Sequence, residues 1–336
     1  MFSSGLVLEG GGLRAAYESG VTDAFIENNI TFPYVIGVSA GSCNGVSFIA
    51  KNLHRMRDIM VNYAHDERYM GIKSIFKNGE YLNSKWIFGE LSYEMFPLNY
   101  DEFENSKTKF CVVASNAKTG KAEYFYPTDF RKGCEIIHAS CALPMATKPV
   151  QIGKDMYYDG GICDSIPLKK AYEDGCEKCV VVLTQDRHFI KKPLGHEKAI
   201  RKALHKFPLT AEAVINRQNM YNEQRKFVFE QEKLGNVLVL APRSPLEFHT
   251  LDSEPMKIQH IYNLGYEQTI DRIDEIKNFL SSSMSQTAYH SKINYAFYLN
   301  ENPSDNCIRG IDFIYEELQS KDRNKLEARA HLRLLL

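Results

Sequence analysis

The sequence predicts an α/β protein with a mainly parallel central sheet flanked by helices. Three observations lead there. From the N-terminus onward, short apolar runs of strand character alternate with stretches of helical period, the pattern of a parallel sheet with crossover helices. Two further runs, KCVVVLT at 178–184 and VLVLA at 237–241, are continuously apolar over 179–183 and 237–241, as strands covered on both faces are. The first strand ends in three consecutive glycines and the second in a turn of small residues, so both lead directly into helices.

Taken in order, GLVL at 5–8 is the first strand, ending in Glu9 and the glycines, with a helical pattern over 13–28. PYVIG at 33–37 is the second strand, and 40–52 is helix-like again. Residues 56–104 mix aromatic and charged side chains without a clean period and read as helices and loops covering one side. FCVVA at 110–114 and EYFY at 123–126 are strands, the second reached through a hairpin-like turn at KTGK, 118–121. PVQIGKDMYY at 149–158 is a short strand pair turning at Gly153-Lys154. Residues 252–280 read as a helical stretch interrupted near Gly265. The texture changes from Ser281 onward, with SSSMSQT and the turn-rich NENPSDN before a charged helical pattern over 308–336. The expected division is therefore a domain over 1–280 and an appendage over 281–336, helical or partly disordered.

Composition narrows the function classes. Of 336 residues, 44% are hydrophobic and 25% charged, as in ordinary globular proteins, and the formal net charge of −1 gives no field that would gather nucleic acid. The N-terminal residues lack the basic and apolar regions of a signal peptide, and no run of about 18 apolar residues occurs, so a cytoplasmic protein is expected. The eight cysteines are scattered. Only Cys176 and Cys179 form a C-x-x-C, without a second pair or nearby histidine to complete a zinc set, so reduced thiols in a core are expected rather than a redox or metal role.

Three short segments carry chemistry. Gly37-Val-Ser-Ala-Gly41 reads G-x-S-x-G, a common pattern that gains meaning from its setting between a strand and a helix. At such a sharp turn Gly37 and Gly41 leave room beside Ser39, and the helix start points the Ala40 N–H toward a developing oxyanion. Gly10-Gly11-Gly12 with Arg14 follows the first strand. Because position 15 is Ala and no G-K-[ST] follows, a P-loop is excluded and a dinucleotide fingerprint is weak. If the first two strands are adjacent and parallel, the glycine loop faces the serine turn at one sheet edge, as an oxyanion hole would. The third segment is Asp159-Gly160-Gly161, which follows the strand pair and has room around its carboxylate to take the serine proton. A late histidine, His249 in EFHTLD, is the alternative base, but Ser39 comes too early in the chain for the α/β-hydrolase order.

Gly-Gly-Gly-x-Arg, then G-x-S-x-G, then D-G-G resembles the patatin-like phospholipase family in number, order and spacing. The stretches ASCALP at 139–144, Pro149-Val150, Tyr158-Asp-Gly-Gly161 and Ile166-Pro-Leu168, with Ala241-Pro242, Tyr262 and Gly265 later, extend the resemblance over roughly residues 4 to 280. One departure is Ala15, where the family's loop usually carries glycine; it matters only if that position needs positive φ. The resemblance implies a three-layer architecture with a Ser–Asp dyad at the carboxyl ends of the strands. Ser39 would be the nucleophile and Asp159 its base; Gly10, Gly11, Gly12 and Ala40 would give the oxyanion hole. Arg14, Gly37, Gly41, Gly160 and Gly161 would support them. It further implies acyl esters of lipids as substrates, phospholipids and lysophospholipids among them, and no metal or organic cofactor.

Two further readings concern the lipid. RHFIKKPLGHEKAIRKALHK at 187–206 carries seven Lys or Arg against one acid, with Ile200, Ala203, Leu204 and Phe207 at helical spacing. Such a helix either rests on an anionic membrane, making the protein peripheral, or packs its apolar stripe inward. The aromatics between Tyr63 and Tyr100 either line an acyl groove or, for the most part, fill core. The sequence leaves two alternatives to a lipid hydrolase: a carboxylesterase acting on soluble esters through the same residues, and a non-catalytic lipid-binding module of the same fold.

Overall fold

The structure, a computed structural model, describes residues 1–131, 134–248 and 252–282. The His249 candidate and nearly all of the 281–336 appendage lie outside these residues.

The strands are β1 (Gly5–Leu8), β2 (Tyr34–Val38), β3 (Lys109–Asn116), β4 (Lys121–Phe125), β5 (Val150–Ile152), β6 (Asp155–Asp159), β7 (Cys179–Val182) and β8 (Val237–Leu240). Before β3 come α1 (Ala16–Glu27), α2 (Ala40–Ile49), α3 (Arg55–Tyr63), α4 (Ile72–Asn78), α5 (Ser84–Trp86) and α6 (Tyr100–Asn105). The later helices are α7 (Glu135–Ser140), α8 (Leu168–Glu173), α9 (Glu197–Ala203), α10 (Pro208–Lys233), α11 (Pro255–Ile270) and α12 (Ile273–Ser281). Residues Ile87–Met95 between α5 and α6 form a π-helical stretch that bends at Gly89.

The sheet runs β5-β6-β3-β2-β1-β7-β8, with β4 on β3. Its five central strands β3-β2-β1-β7-β8 pair in parallel, while β4 and β6 meet β3 antiparallel. Alternation along these strands builds two cores. Leu6, Leu8, Val35, Val112 and Val180 point to one face, where Tyr17 and Phe25 of α1, Val46 of α2 and Ile258 and Tyr262 of α11 cover them. Val7, Ile36, Val113 and Val181 point to the other, under Leu168 and Ala171 of α8 and Tyr221, Phe227 and Val228 of α10. The result is the expected three-layer α/β fold with a mainly parallel sheet.

The structure departs from the sequence reading in two places and decides between two alternatives in a third. The 26-residue α10 was not anticipated, because its buried positions include Arg225 and Gln231 and blur the apolar period. The basic segment 187–207 is helical only over α9, and Ile200 and Leu204 are buried against Tyr158 and Ile162, so the stripe is turned inward. The helical stretch over 252–280 does not break at Gly265. It runs through that residue and breaks at Asp271–Arg272, between α11 and α12.

Gly265 has another cause. A Cβ there would lie 2.0 Å from the Tyr17 carbonyl oxygen, and one on Gly20 would lie 2.1 Å from that of Tyr262. The two glycines let α1 and α11 approach backbone to backbone. Gly265→Ala is therefore expected to destabilise the protein by about 3 kcal/mol through forced separation of the helices. Urea denaturation measures this, and an unchanged midpoint would refute the crossing argument.

Candidate active site

Sheet register brings the serine turn and the D-G-G segment together. Ala114 of β3 pairs with Glu123 of β4 and with Asp159 of β6, so β4 and β6 occupy opposite edges of β3. Val113 pairs with Tyr124 of β4 and Val38 of β2, so β2 shares the edge that β6 uses. Along that edge β2 ends at Val38 and the antiparallel β6 ends at Asp159, one position on. The strands meet head to head, and their next residues must converge. The Ser39 Oγ donates a 2.7 Å hydrogen bond to Asp159 Oδ2 across 120 residues of sequence.

The turn at Ser39 is strained in the way a sharp strand-to-helix junction requires. Ser39 has φ 54° and ψ −129°, a conformation that costs a non-glycine residue about 1–3 kcal/mol. The surroundings hold it there. The Ser39 N–H donates to Ser140 Oγ at 2.8 Å, and Ser140 in turn donates to the Val113 carbonyl at 2.6 Å. Ser42 Oγ donates to the Ser39 carbonyl at 2.6 Å. Gly37 and Gly41 make the junction possible: a Cβ on Gly41 would lie 2.6 Å from the Leu8 carbonyl oxygen, and one on Gly37 would lie 2.6 Å from that of Gly41.

The glycine loop faces this turn. A Cβ on Gly10 would come within 3.2 Å of the Ser39 Cβ. The Gly10 N–H is directed at the Ser165 carbonyl at 3.5 Å, a long contact, while Gly12 takes positive φ at the start of the short 3₁₀ turn Gly12–Ala15. Ala15 has φ −66°, so the departure from glycine there is without backbone cost. Glu9, buried at the end of β1, accepts from Tyr221 Oη at 2.6 Å and from the Thr184 N–H at 2.7 Å, which ties the loop to β7 and α10.

Asp159 is 5% exposed, and burial pushes its pKa up. Three smaller influences oppose this: the Arg217 charge, the Ser39 hydroxyl and the Gly161 N–H, which donates to Oδ1 at 2.7 Å. Gly160 lies under the Val113 carbonyl, where a Cβ would come within 2.2 Å. A hydroxyl bonded to a desolvated carboxylate, beside N–H groups of a glycine loop and a helix start, is equipped for nucleophilic attack on a carbonyl.

The site opens into a cavity of about 190 Å³. Away from Ser39 its walls are largely apolar, with Val46, Met56, Met60, Leu82, Ile87, Phe88, Phe130, Ile137 and Leu143. Of the aromatics between 63 and 100, Tyr69, Phe88, Tyr93 and Tyr100 line the cavity, whereas Tyr63, Trp86 and Phe96 pack behind it in a cluster that Tyr69 and Phe88 also touch. Two lining residues, Arg217 and Tyr221, were not singled out in the sequence, and a third, Lys191, was read only as one charge of the basic 187–206 stretch. Arg217 Nε donates to the Gly161 carbonyl at 2.5 Å, and its charge acts on Asp159. Thr210, Val214, Arg217, Tyr221, Arg225 and Val228 recur at helical spacing along α10, and that period would have pointed to this face.

A family model described as patatin-like phospholipase matches residues 6–172, and one described as a domain of unknown function, DUF6363, matches 207–281. The chain is 26% identical to the uncharacterized protein YjjU of Escherichia coli K12 over 270 residues, covering 77% of this chain and 74% of that protein. Among solved structures, VipD from Legionella pneumophila is similar with a TM-score of 0.43 and 12% identity, over 96% of this chain and 81% of that one.

Proposed function

This chain belongs, through residues 6–172, to the patatin-like phospholipase family, and from that premise we propose that it is a serine acyl hydrolase that cleaves fatty-acyl esters of phospholipids, lysophospholipids or related lipids. The observation that carries the reading is the 2.7 Å hydrogen bond from Ser39 to a buried Asp159 at the mouth of an apolar cavity. In the proposed reaction Ser39 Oγ attacks the ester carbonyl while Asp159 accepts its proton. The oxyanion rests on backbone N–H groups of Gly11, Gly12 and Ala40, with Gly10 completing the loop. Asp159 returns the proton to the departing alcohol, leaving an acyl-enzyme on Ser39. Water then gives a proton to Asp159 and attacks the acyl carbonyl; as the Oγ–acyl bond breaks and the fatty acid leaves, Asp159 passes that proton to Ser39 Oγ. Arg14 and Arg217 border the site and bias its charge, without taking part in bond making.

Apolar walls over most of the cavity favour a fatty-acyl chain over a small soluble acyl group. For approach to lipid, α9 and its flanks keep Lys198, Lys202 and Lys206 exposed, and a peripheral contact with anionic headgroups is the proposed use of that face. The test is covalent labelling. An alkyl fluorophosphonate should phosphonylate the protein once, on the peptide containing Ser39, and prior incubation with a lysophospholipid should slow the reaction. A protein that remains unlabelled at Ser39 is not an activated-serine hydrolase but a binding module.

A further inference from the structure

The cavity that serves the acyl chain has a second end with opposite character. Arg14, Lys191 and Arg217 line it together, beside the glycine loop and Tyr221. They come from β1's following loop, the loop after β7, and α10, so three separate parts of the chain converge to place cations there. The carboxylates within reach are already engaged. Glu9 takes hydrogen bonds from Tyr221 and Thr184, and Asp159 takes them from Ser39 and Gly161. Lys191 is anchored through its backbone, which exchanges hydrogen bonds with the Asn222 side chain at 2.9 and 3.0 Å. Its ammonium lies 4.5 Å from the Tyr221 ring centroid, and among the described residues it forms no ion pair with a carboxylate.

We propose that Lys191 and Arg217 form an anion subsite on the leaving-group side of Ser39, which takes a phosphate carried by the alcohol part of the substrate and so makes the enzyme select anionic over neutral acyl esters. This rests on the hydrolase reading above. With the acyl chain along the apolar wall and the carbonyl at Ser39, the alcohol portion is left to the basic end. A phosphate there would be held by charge-assisted hydrogen bonds from two different side chains in a partly dehydrated pocket, where such contacts are strong. The surroundings of Lys191 support this. Burial and then the Arg217 charge push its pKa down to about 8; Glu9 opposes them, and Arg14 and Arg225 add smaller downward pushes. A cation disfavoured by its surroundings gains from an incoming phosphate. Tyr221 borders the subsite with its ring against the Lys191 ammonium, and its hydroxyl is committed to Glu9.

The experiment compares three soluble octanoyl esters of one glycerol backbone: the monoacylglycerol, the lysophosphatidylcholine and the lysophosphatidate. Each is turned over by wild type, Lys191→Met and Lys191→Arg, and kcat/KM is read as a ratio to the neutral ester. Wild type should favour the lysophosphatidate about tenfold or more, the size of one charge-assisted contact. Lys191→Met should bring that ratio near unity, and Lys191→Arg should restore most of it. A wild-type ratio near one, or a ratio that Lys191→Met leaves unchanged, overturns the subsite. If wild type hydrolyses none of the three, the hydrolase reading fails by itself, and the subsite is judged by titrating octanoyl lysophosphatidate into Ser39→Ala protein. Affinity at least tenfold weaker in Ser39→Ala/Lys191→Met sustains it; equal affinity removes it.

Discussion

Ser39→Ala is expected to lower kcat on a lysophospholipid by about 10⁴-fold or more, the scale seen when a hydrolase loses its nucleophile. The expectation is sharp because so little else changes. The backbone bonds that hold the turn, from the Ser39 N–H to Ser140 and from Ser42 to the Ser39 carbonyl, do not involve the lost hydroxyl. Alanine also tolerates the positive φ of 54° no worse than serine does, so the variant should unfold within a degree or two of wild type. What disappears is the oxygen on which the proposed acyl-enzyme forms. Pre-steady-state release of p-nitrophenol separates the causes: wild type should show a burst, and the variant none. Residual activity above a few per cent in Ser39→Ala would mean that the attacking group is elsewhere, or that water attacks directly.

The site was legible in proportion to how local its geometry is. A glycine loop after one strand and a small-residue turn after the next are fixed by backbone sterics over a few residues, so Gly10 to Gly12 and Gly37 to Gly41 stand out in the sequence. The alternation of strands and helices stands out for the same reason, and the three-layer fold follows from it. The meeting of β2 and β6 on one edge of β3 is a different kind of fact. It depends on the register of three strands separated by long segments, and nothing local to Asp159 encodes it. Lys191 was hidden by company. In a run of seven basic residues each charge reads as solvated, yet the loop after β7 turns this one toward the cavity. Arg217 was hidden by its helix, whose buried polar side chains weaken the apolar period. Gly265 was misread because a missing Cβ weakens a helix in isolation, whereas here it is what lets α11 reach α1.

Asp159→Asn is expected to reduce kcat by about 10³–10⁴-fold, close to the loss from removing the nucleophile, because the two groups act as one unit. The amide oxygen can still accept from the Gly161 N–H at the place of Oδ1, so the turn should keep its shape. What the amide cannot do is take the serine proton. In the proposed reaction the carboxylate works only when ionised, and burial raises its pKa from the usual aspartate value. Wild-type kcat/KM should therefore fall as pH drops through that raised value, and the residual activity of Asp159→Asn should lack this limb. Stability should move the other way. A carboxyl whose pKa is raised on folding favours the folded state only while protonated, and that contribution is lost as pH rises through the folded-state pKa. At neutral pH the charged Asp159 thus weighs against folding, and Asp159→Asn should melt at the same temperature as wild type or higher. Activity lost with stability kept or gained is the signature of a group retained for chemistry. Activity and stability lost together would instead make Asp159 a structural anchor for the D-G-G turn, and the proton would have to go to another base.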